Sequence, residues 1–538
     1  MSSPVADPGG LADVVRAAAI RYGETPLYVM PDGTTLSYGG LDALSDTVSE
    51  ALRRRGVCPG DVVALLLPSG PAYAVLYAAL SKLGAICAGI NDRLSPPERR
   101  ACLEVAAPAL VVGTGGLLVG TEPASVDAVG DVLAIPATGP GAEALGELCA
   151  GASASAHGVQ PAAYDRLRPV AIVFTSGTTG APRGAVFGGA QLDAISVADG
   201  GRRWGGGGRG LSSTSFAHLG YMTKLPQVLR SGGTSFVMER WSAGEALAMV
   251  ERHRLTNLGG IPTQMALMLH HERFASTDLS SLQMVALGGG PATAALVRET
   301  RARLGVGVVT RYTCTEAGVG TGTNPDDPDE DAEVSVGRPR PGVTVTIRSD
   351  VRDADADADA TVADGETGEV CLAGPATMKG YWRDPDAGAA VRTGDGAVRT
   401  GDLGYLDDGG RLHLAGRAKE MYVRGGYNVF PQEVEAVLEE HPLLSQVAVV
   451  PRTDPIMGEI GVAVVVARPG APAPTLGDLR EFAAARLARH KLPEALLAVE
   501  ELPRTAMEKV DRRALAGLVG TAAPEQATAT MPQRARRS

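Results

Sequence analysis

Aromatic residues are scarce in this sequence, and positive charge is in deficit. Aromatic side chains make up only 4% of the 538 residues, whereas glycine occurs 69 times. A chain this rich in glycine favours sharp turns and surfaces lined by small side chains. Its 50 lysines and arginines are outnumbered by 61 aspartates and glutamates, so the formal net charge is −11. This balance argues against nucleic acid and anionic membrane as partners.

Cysteine is also scarce, and its spacing argues against zinc sites and disulfide frameworks. The six cysteines are spread along the chain: Cys58, Cys87, Cys102, Cys149, Cys314 and Cys371. No two of them form a C-x-x-C pair, and no histidine stands at zinc spacing from them. We therefore expect reduced thiols, most of them buried.

Long apolar runs are missing as well. No stretch reaches the about 18 consecutive apolar residues that a membrane-spanning helix needs. The first ten residues, MSSPVADPGG, have neither the basic region nor the apolar core of a signal peptide. These features predict a cytoplasmic protein without a membrane span.

The length predicts at least two domains. Short apolar runs near 170–174, 234–238, 284–288 and 308–312 predict strands, and helical patterns such as 72–86 lie between them. Strands that alternate with helices predict an α/β fold in which a mostly parallel sheet is covered by helices.

The pattern changes near 416–420, which predicts a domain boundary. Beyond it the sequence predicts a small α+β unit with four elements: helix 431–440, strand 445–451, strand 461–468 and helix 476–489. We expect an N-terminal domain over 1–418, a C-terminal domain over 419–520 and a disordered polar tail over 521–538.

Three segments look irregular. The glycine-rich stretch 201–210 predicts a flexible loop, and the acidic run 326–333 predicts a solvated surface loop. The low-complexity stretch 352–364 predicts a hairpin tip or a disordered insertion.

The strongest local signal is a loop rich in hydroxyls and glycine after a predicted strand. The strand 171–174 leads directly into six such residues: Thr175, Ser176, Gly177, Thr178, Thr179 and Gly180. Glycine lets backbone N–H groups point at a ligand, and hydroxyls add further donors, so the loop suits phosphate. It lacks the G-x-x-x-x-G-K-[ST] pattern, which excludes an ordinary P-loop.

Further motifs follow in a fixed order, namely GGGP, RYTCTEAG, GETGEVCLAGPATMKGYW, RTGDLGYLDDGGRLHLAGRAKE, GGYNVFPQEVE and PRTAMEKVDRR. With these motifs the chain resembles the adenylate-forming superfamily over roughly residues 10–515. That group contains acyl-CoA synthetases, peptide-synthetase adenylation domains and firefly-type luciferases, and the resemblance is closest to acyl-CoA synthetases. It implies a large N-terminal domain of parallel sheets with a small barrel-like part, and a small mobile C-terminal domain.

The resemblance places nucleotide phosphates on the loop 175–180. Arg183 stands where the family has lysine in this motif, and it keeps the charge on a wider, planar group. The motif GGGP is similar to the loop that flanks adenine in the family, and it contributes three residues: Gly289, Gly290 and Pro291.

The resemblance also assigns individual contacts. Tyr312 is expected to lie flat against adenine, and Asp402 to accept both ribose hydroxyls. Arg417 is expected to donate to the same ribose. Thr315 is expected to contact the α-phosphate and Glu316 to hold Mg²⁺ while carboxylate attacks that phosphate.

Lys509 resembles the lysine that bridges the substrate carboxylate and the phosphate during adenylation. The family has glycine immediately before this lysine, whereas this chain has Glu508, whose negative charge opposes binding of an anionic nucleotide. His218 resembles the gate beside the substrate pocket. We therefore expect Lys509, Glu316, Thr315, Arg183 and His218 to act in catalysis.

On the thiolation side, Lys419 occupies the position of the hinge about which the small domain rotates. Gly425 and Gly426 match the glycines that let the pantetheine arm of CoA pass. Small side chains are expected to leave room for a bulky acyl group. The expected pocket residues are His218, Gly288, Gly318 and Gly320.

The resemblance implies an acyl-CoA synthetase that acts through an acyl-adenylate on a bulky hydrophobic carboxylic acid, with ATP or AMP, Mg²⁺ and CoA as ligands. Arg183 and Glu508 put the adenylation half-reaction in doubt, and a separate enzyme could supply the adenylate. The alternatives are a stand-alone enzyme that loads a carrier protein and a non-catalytic nucleotide-binding homologue. The motifs also leave luciferase-type oxidation and a homodimer open.

Overall fold

The structure, a computed structural model, describes residues 9–121, 130–136, 145–149, 161–175, 182–349, 359–363, 365–425, 427–505 and 509–521. The predictions for Ser176, Gly177, Thr178, Thr179, Gly180, Gly426, Glu508 and the tail 522–538 fall outside these residues, as does most of 352–364.

The strands of the described residues, in chain order, are β1 Pro26–Val29, β2 Thr35–Ser37, β3 Val62–Leu66, β4 Ile86–Gly89, β5 Leu110–Thr114, β6 Asp131–Ile135, β7 Pro169–Thr175, β8 Arg183–Gly188, β9 Arg209–Ser212, β10 Thr234–Val237, β11 Asn257–Gly260, β12 Met284–Gly288, β13 Gly307–Tyr312, β14 Thr321–Gly322, β15 Arg338–Pro339, β16 Thr344–Arg348, β17 Gly368–Ala373, β18 Val398–Leu406, β19 Leu412–Arg417, β20 Tyr422–Arg424, β21 Tyr427–Val429, β22 Leu444–Asp454, β23 Gly458–Ala467 and β24 Ala495–Ala498.

The α-helices are α1 Leu11–Tyr22, α2 Tyr38–Arg54, α3 Pro71–Leu83, α4 Pro96–Ala106, α5 Gly115–Leu118, α6 Gly146–Cys149, α7 Gly189–Gly200, α8 Leu219–Met222, α9 Leu225–Ser231, α10 Ala243–His253, α11 Pro262–Leu269, α12 Ala294–Leu304, α13 Asp329–Val334, α14 Pro385–Ala390, α15 Pro431–Leu438, α16 Leu476–Ala484 and α17 Arg512–Thr521. Short 3₁₀ turns lie at Phe274–Ser276, Thr315–Ala317 and Arg489–Lys491.

Two large sheets form the N-terminal part. One has the order β15-β14-β13-β12-β11-β9-β10-β1-β2, and its six strands from β13 to β1 are parallel. The other has the order β6-β5-β3-β4-β7-β8 and is parallel except for the hairpin β7–β8. The predicted α/β class is confirmed. The four predicted strands are also confirmed, each within one residue at either end.

The interior position of β3 explains its unbroken apolar sequence. Every residue of this strand is buried, because β3 lies between β5 and β4 and both faces of the sheet are covered. The helix predicted over 72–86 spans Pro71–Leu83 and is buried along most of its length. It stops at Gly84, which has φ of +75°, and β4 follows at once.

A third sheet, β16-β17-β18-β19, is antiparallel. The last sheet, β21-β20-β23-β22 with β24 beside β23, forms a separate unit with its own apolar core. The chain passes from β19 to this sheet between Arg417 and Tyr422. This change of sheet supports our proposed boundary at 418/419.

The C-terminal elements differ in length from the sequence-based expectation. The helix predicted over 431–440 ends at Leu438. The helix predicted over 476–489 ends at Ala484, and a short 3₁₀ turn, Arg489–Lys491, follows it. The two strands are longer than predicted, because β22 and β23 pair over eleven and ten residues as one hairpin.

The acidic run 326–333 is not wholly a solvated loop, so that prediction is wrong in part. Its second half begins helix α13, and Asp331 in this helix is only 2% exposed. The Asp331 carboxylate forms ion pairs with Arg338 at 2.5 Å and Arg411 at 2.7 Å. These two partners lie further along the chain, so a local charge pattern could not reveal them.

The cysteines carry no disulfide among the described residues. Three of them are buried, Cys149 and Cys314 are half-buried and Cys58 is exposed. Within the described part of the chain, no helix combines the length and the apolar character required to cross a bilayer.

Candidate active site

The carboxyl ends of the parallel strands β12 and β13 meet at one edge of the nine-stranded sheet. In open α/β sheets, ligands bind outside this edge. Gly288 ends β12, and a Cβ there would lie 2.9 Å from the Arg311 carbonyl oxygen, so the strands approach too closely for a side chain. Three exposed residues follow: Gly289, Gly290 and Pro291. Tyr312, at the end of β13, faces the same edge.

Tyr312, Asp402 and Arg417 form a connected group, which we call the Asp402 cluster. The Tyr312 hydroxyl donates to Asp402 Oδ2 at 2.8 Å, and Arg417 Nε lies 3.0 Å from Asp402 Oδ1. Asp402 and Arg417 are direct partners across β18 and β19, so their pairing is set by the sheet register. The pKa of Tyr312 is raised well above its usual value. Burial is the main cause, and the Asp402 charge is the second. The structure thus brings together three residues that the sequence assigned to the nucleotide.

Glu369 holds the loop that carries Asp402. Its buried carboxylate accepts from Arg399 Nη1 at 2.7 Å and from the Gly401 backbone N–H at 3.2 Å. Gly401 has φ of +73°, a conformation that favours glycine, and this turn directs the next residue into the cluster. Thr400 Oγ1 donates to the Val370 carbonyl at 2.7 Å and adds a second tie to β17. Sequence analysis missed Glu369, although it lies inside a quoted motif.

We expect the Glu369→Ala variant to lose about 3 kcal/mol of unfolding free energy, because it breaks a buried charge pair with Arg399. Its affinity for AMP should fall about tenfold, because the turn that carries Asp402 loses its anchor. Urea denaturation and calorimetric AMP titration measure the two effects. Glu366→Ala is the matched control, since Glu366 is an exposed carboxylate on the same segment. Unchanged AMP affinity in Glu369→Ala would contradict the positioning role of this residue.

Glu316 is held by a segment that the sequence analysis quoted only as part of a motif. Tyr381 donates its hydroxyl to Glu316 Oε1 at 2.7 Å, and the Met378 N–H donates to the Glu316 carbonyl at 2.8 Å. Arg183 Cζ lies 5.4 Å from the centroid of the Tyr381 ring. Thr315 begins the same 3₁₀ turn as Glu316. The Tyr381–Glu316 contact was not predicted from the sequence.

The donor set suits Mg²⁺ only together with a nucleotide. Among the described residues no group of three or more histidine, cysteine, aspartate or glutamate side chains could hold a metal ion. Mg²⁺ is commonly bound through one or two carboxylates, substrate phosphates and water. Glu316 fits this pattern, because a carboxylate has about four acceptor positions and the Tyr381 hydroxyl uses one of them.

The phosphate loop spans the mouth of the hairpin β7–β8. Thr175 at the end of β7 pairs directly with Arg183 at the start of β8. The loop residues between them lie outside the described part of the chain, so their phosphate contacts stay a prediction. Arg183, at the start of β8, lies over the Tyr381 ring.

Lys509 and His218 come from different domains and act on one another electrostatically. Burial lowers the pKa of His218 to about 4, and the positive charge of Lys509 acts in the same direction. The pKa of Lys509 is lowered by the surrounding protein and by Arg417, while Asp402 opposes this shift. Lys509 nevertheless remains exposed to solvent. Lys509 therefore lies near both His218 and the Asp402 cluster.

The His218 imidazole should stay neutral at every pH above about 5, because its pKa is about 4 in the folded protein. In the Lys509→Ala variant this pKa should rise towards the ordinary histidine value of about 6.5. Histidine NMR titration measures it, with the His218→Gln spectrum assigning the signal. An unchanged His218 pKa in Lys509→Ala would contradict this placement of Lys509, and a wild-type titration near 6.5 would contradict the burial of His218.

The same pKa determines how the free energy of unfolding changes with pH. The unfolded chain binds a proton at His218 near pH 6.5 and the folded chain only near pH 4. Protonation therefore favours unfolding, and the contribution of His218 to stability is lost as the pH falls through this window.

Lys419 lies on the link between the two units, and Gly425 lies in the turn after β20. Lys419 is exposed on the turn after β19, and the Gly425 N–H donates to the Met457 carbonyl at 2.8 Å. Gly425 has φ of +54°, which suits glycine. The roles of Lys419 and Gly425 in domain rotation and CoA passage stay predictions.

Two glycines of the expected acyl pocket are required by backbone packing. A Cβ at Gly318 would lie 2.4 Å from the Ala376 carbonyl oxygen, and one at Gly320 would lie 2.4 Å from the Tyr312 carbonyl oxygen. The space beside them is therefore filled by backbone. Their part in the acyl pocket stays a prediction, and their small size is explained without it.

Comparisons with known proteins match a large N-terminal part and a small C-terminal part of the chain separately. Residues 15–382 match the family described as AMP-binding enzyme, and residues 433–509 match the AMP-binding enzyme C-terminal domain. The indoleacetate–CoA ligase of Aromatoleum aromaticum is 34% identical over 483 residues, which cover 88% of this chain and 91% of that protein. The fatty acid–[acyl-carrier-protein] ligase ScoC of Streptomyces coeruleorubidus is 32% identical over 90% of this chain and 92% of that protein.

A solved structure supports the fold at full length. ATP-bound MatB from Rhodopseudomonas palustris superposes with a TM-score of 0.84 at 25% sequence identity. The match covers 95% of this chain and 99% of that one.

Proposed function

This chain belongs to the AMP-binding enzyme family, and from that premise we propose that it joins a bulky hydrophobic carboxylic acid to CoA through an acyl-adenylate. The observation that carries the proposal is the Asp402 cluster at the carboxyl edge of the sheet, with Lys509 above it. A buried carboxylate, a hydroxyl and a guanidinium in one group suit a ribose, and the ammonium suits the negative charge of carboxylate and phosphate.

In the adenylation half, a substrate carboxylate oxygen attacks the α-phosphorus of ATP, and pyrophosphate leaves. Negative charge is then shared by the α-phosphate oxygens and the leaving group, so cations already in place lower the barrier. Lys509 bridges the carboxylate and the α-phosphate, and Arg183 supports the phosphates at the loop. Bound Mg²⁺, held through Glu316, supplies further neutralisation of phosphate charge. His218 stays neutral beside the acid. It therefore adds no positive charge that would hold the carboxylate at a distance from the phosphorus.

In the thiolation half, the CoA sulfur attacks the acyl carbonyl carbon of the adenylate, and AMP leaves as its phosphate takes back the electron pair. Asp402 and Arg417 hold the ribose in both halves, because the adenylate retains it. Lys509 belongs to the first half alone. We propose that the C-terminal domain turns about Lys419 and presents the Gly425 turn to the site for CoA entry.

The two halves are not expected to be equally efficient. Arg183 replaces a lysine by a wider planar cation, and Glu508 adds a negative charge next to Lys509. Both changes fall on the adenylation half. We propose that adenylation is the slower half-reaction. The alternative, in which a separate enzyme supplies the adenylate, must be distinguished by experiment.

A panel of acids tests the proposal. Purified protein receives ATP, Mg²⁺, CoA and one acid at a time: arylacetic, hydroxycinnamic, alicyclic propanoic and fatty acids, with acetate and amino acids as controls. Mass spectrometry should detect an acyl-CoA and AMP with at least one hydrophobic acid and none with the controls. Acetate as the best substrate would contradict the proposed pocket.

A second acceptor follows from one relative, since ScoC is named for transfer of a fatty acid to an acyl-carrier protein. The same panel, run with phosphopantetheinylated carrier protein in place of CoA, separates the two acceptors. Acylated carrier protein without acyl-CoA would replace our proposal by a carrier-loading function.

A further inference from the structure

The segment that contains Tyr381 is fixed along its whole backbone. Residues 379–382 run beside β8, where the Lys379 N–H donates to the Val186 carbonyl at 2.8 Å and the Trp382 N–H donates to the Gly184 carbonyl at 2.7 Å. The Trp382 indole N–H also donates to the Ala106 carbonyl at 3.2 Å. The Tyr381 ring therefore projects from a rigid strap rather than from a free loop.

Two charged residues contact Tyr381. The Tyr381 hydroxyl donates to Glu316, and the Arg183 guanidinium lies over the ring face. Only 8% of Tyr381 is exposed, so water cannot readily replace either contact. The neighbouring Met378 N–H holds the Glu316 carbonyl as well, so one segment fixes both the backbone and the carboxylate of this residue.

The two residues that contact Tyr381 carry opposite charges. A carboxylate and a guanidinium that share a partly buried site attract one another strongly and tend to form a bidentate pair. Such a pair would turn Glu316 away from a cation and Arg183 away from a phosphate. Tyr381 satisfies each charge individually, through its hydroxyl and its ring face, and leaves the remaining positions of both groups for the nucleotide.

We propose that Tyr381 is a positioning residue that holds Glu316 and Arg183 apart and aimed at the magnesium–triphosphate group. This inference rests on the proposed function and deepens it, because it names the residue that prepares the site for the metal-bound nucleotide. Tyr381 acts through its two neighbours and needs no contact with the reacting atoms.

Two substitutions separate the two contacts. Tyr381→Phe removes the hydroxyl bond to Glu316 and keeps the ring under Arg183, whereas Tyr381→Leu removes both. Tyr38→Phe is the matched control, because Tyr38 is a buried tyrosine whose hydroxyl donates to the Gly233 carbonyl at 2.8 Å. Thermal unfolding of all three variants reports general loss of stability.

The readout is the binding of Mn²⁺ to the enzyme–ATP complex, followed by electron paramagnetic resonance at fixed ATP. In Tyr381→Phe the affinity for Mn²⁺ should fall about tenfold, as for loss of a hydrogen bond to a metal ligand. Its ATP affinity at saturating Mn²⁺ should stay near that of the wild type. Tyr381→Leu should lose affinity for both Mn²⁺ and ATP. Tyr38→Phe should keep the wild-type affinity for both.

Equal Mn²⁺ affinity in wild type and Tyr381→Phe would overturn the inference and leave the proposed function standing. A wild-type protein that binds no Mn²⁺–ATP would overturn both. An equal loss in Tyr381→Phe and Tyr38→Phe would also overturn the inference, because it would reveal a general effect of removing a buried hydroxyl.

Discussion

Replacing Lys509 with alanine is expected to slow formation of the acyl-adenylate by about 100-fold or more, since it removes a cation from the charge that develops on phosphate. Conversion of supplied acyl-adenylate to acyl-CoA should change by less than about threefold, because that step needs no bridge between carboxylate and phosphate. Single-turnover quench-flow of each half measures the two rates.

Lys491→Ala is the matched control for Lys509. Lys491 is a lysine of the same domain, and its ammonium pairs with Glu433 at 2.5 Å. It should leave both half-reactions unchanged. Equal slowing of both halves in Lys509→Ala would show that this lysine supports the fold or the ribose rather than the adenylation step.

Replacing Asp402 with alanine is expected to weaken AMP binding by about 100-fold, because two charge-assisted hydrogen bonds to the ribose are lost. Removing the carboxylate also leaves the Tyr312 hydroxyl and the Arg417 guanidinium without their acceptor. Asp402→Asn should have an intermediate effect, since it keeps one acceptor oxygen and loses the charge. Calorimetric titration with AMP measures the affinity.

The Asp402 and Lys509 variants should differ in which half-reaction they impair. Asp402→Ala should raise the KM of both ATP and acyl-adenylate, because both carry the ribose. Asp407→Ala is its control: Asp407 lies at the turn between the same two strands and bonds to Arg411 and His413. That control should lower the unfolding temperature and spare AMP affinity. A loss of AMP affinity equal to that of Asp402→Ala would contradict the assignment.

Local sequence patterns predicted the elements that frame the site. The strands β7, β12 and β13 and the loop after β12 follow from apolar runs that end in glycine or hydroxyl residues, and these signals are contiguous in the chain. The pairing of Asp402 with Arg417 was not predicted. It depends on the register of β18 against β19, which neither segment encodes by itself.

Contacts between distant segments could not be predicted from periodicity. Tyr381 and Glu316 are 65 residues apart, and they meet only because the strap 379–382 pairs with β8. The glycines at 318 and 320 are ambiguous in sequence, since a small residue that lines a pocket and one that packs against backbone look alike. Asp331 was likewise obscured by its acidic neighbours, because its arginine partners lie elsewhere in the chain.

The most direct test of the central claim is a split assay on the wild-type protein with the best acid of the panel. One arm supplies acid, ATP, Mg²⁺ and CoA, and follows pyrophosphate and acyl-CoA; the other supplies synthetic acyl-adenylate and CoA. Our account predicts acyl-CoA in both arms, with the second arm faster. Product in the second arm alone would assign adenylation to a separate enzyme, and no acyl-CoA in either arm would contradict the claim that this chain is an acyl-CoA synthetase.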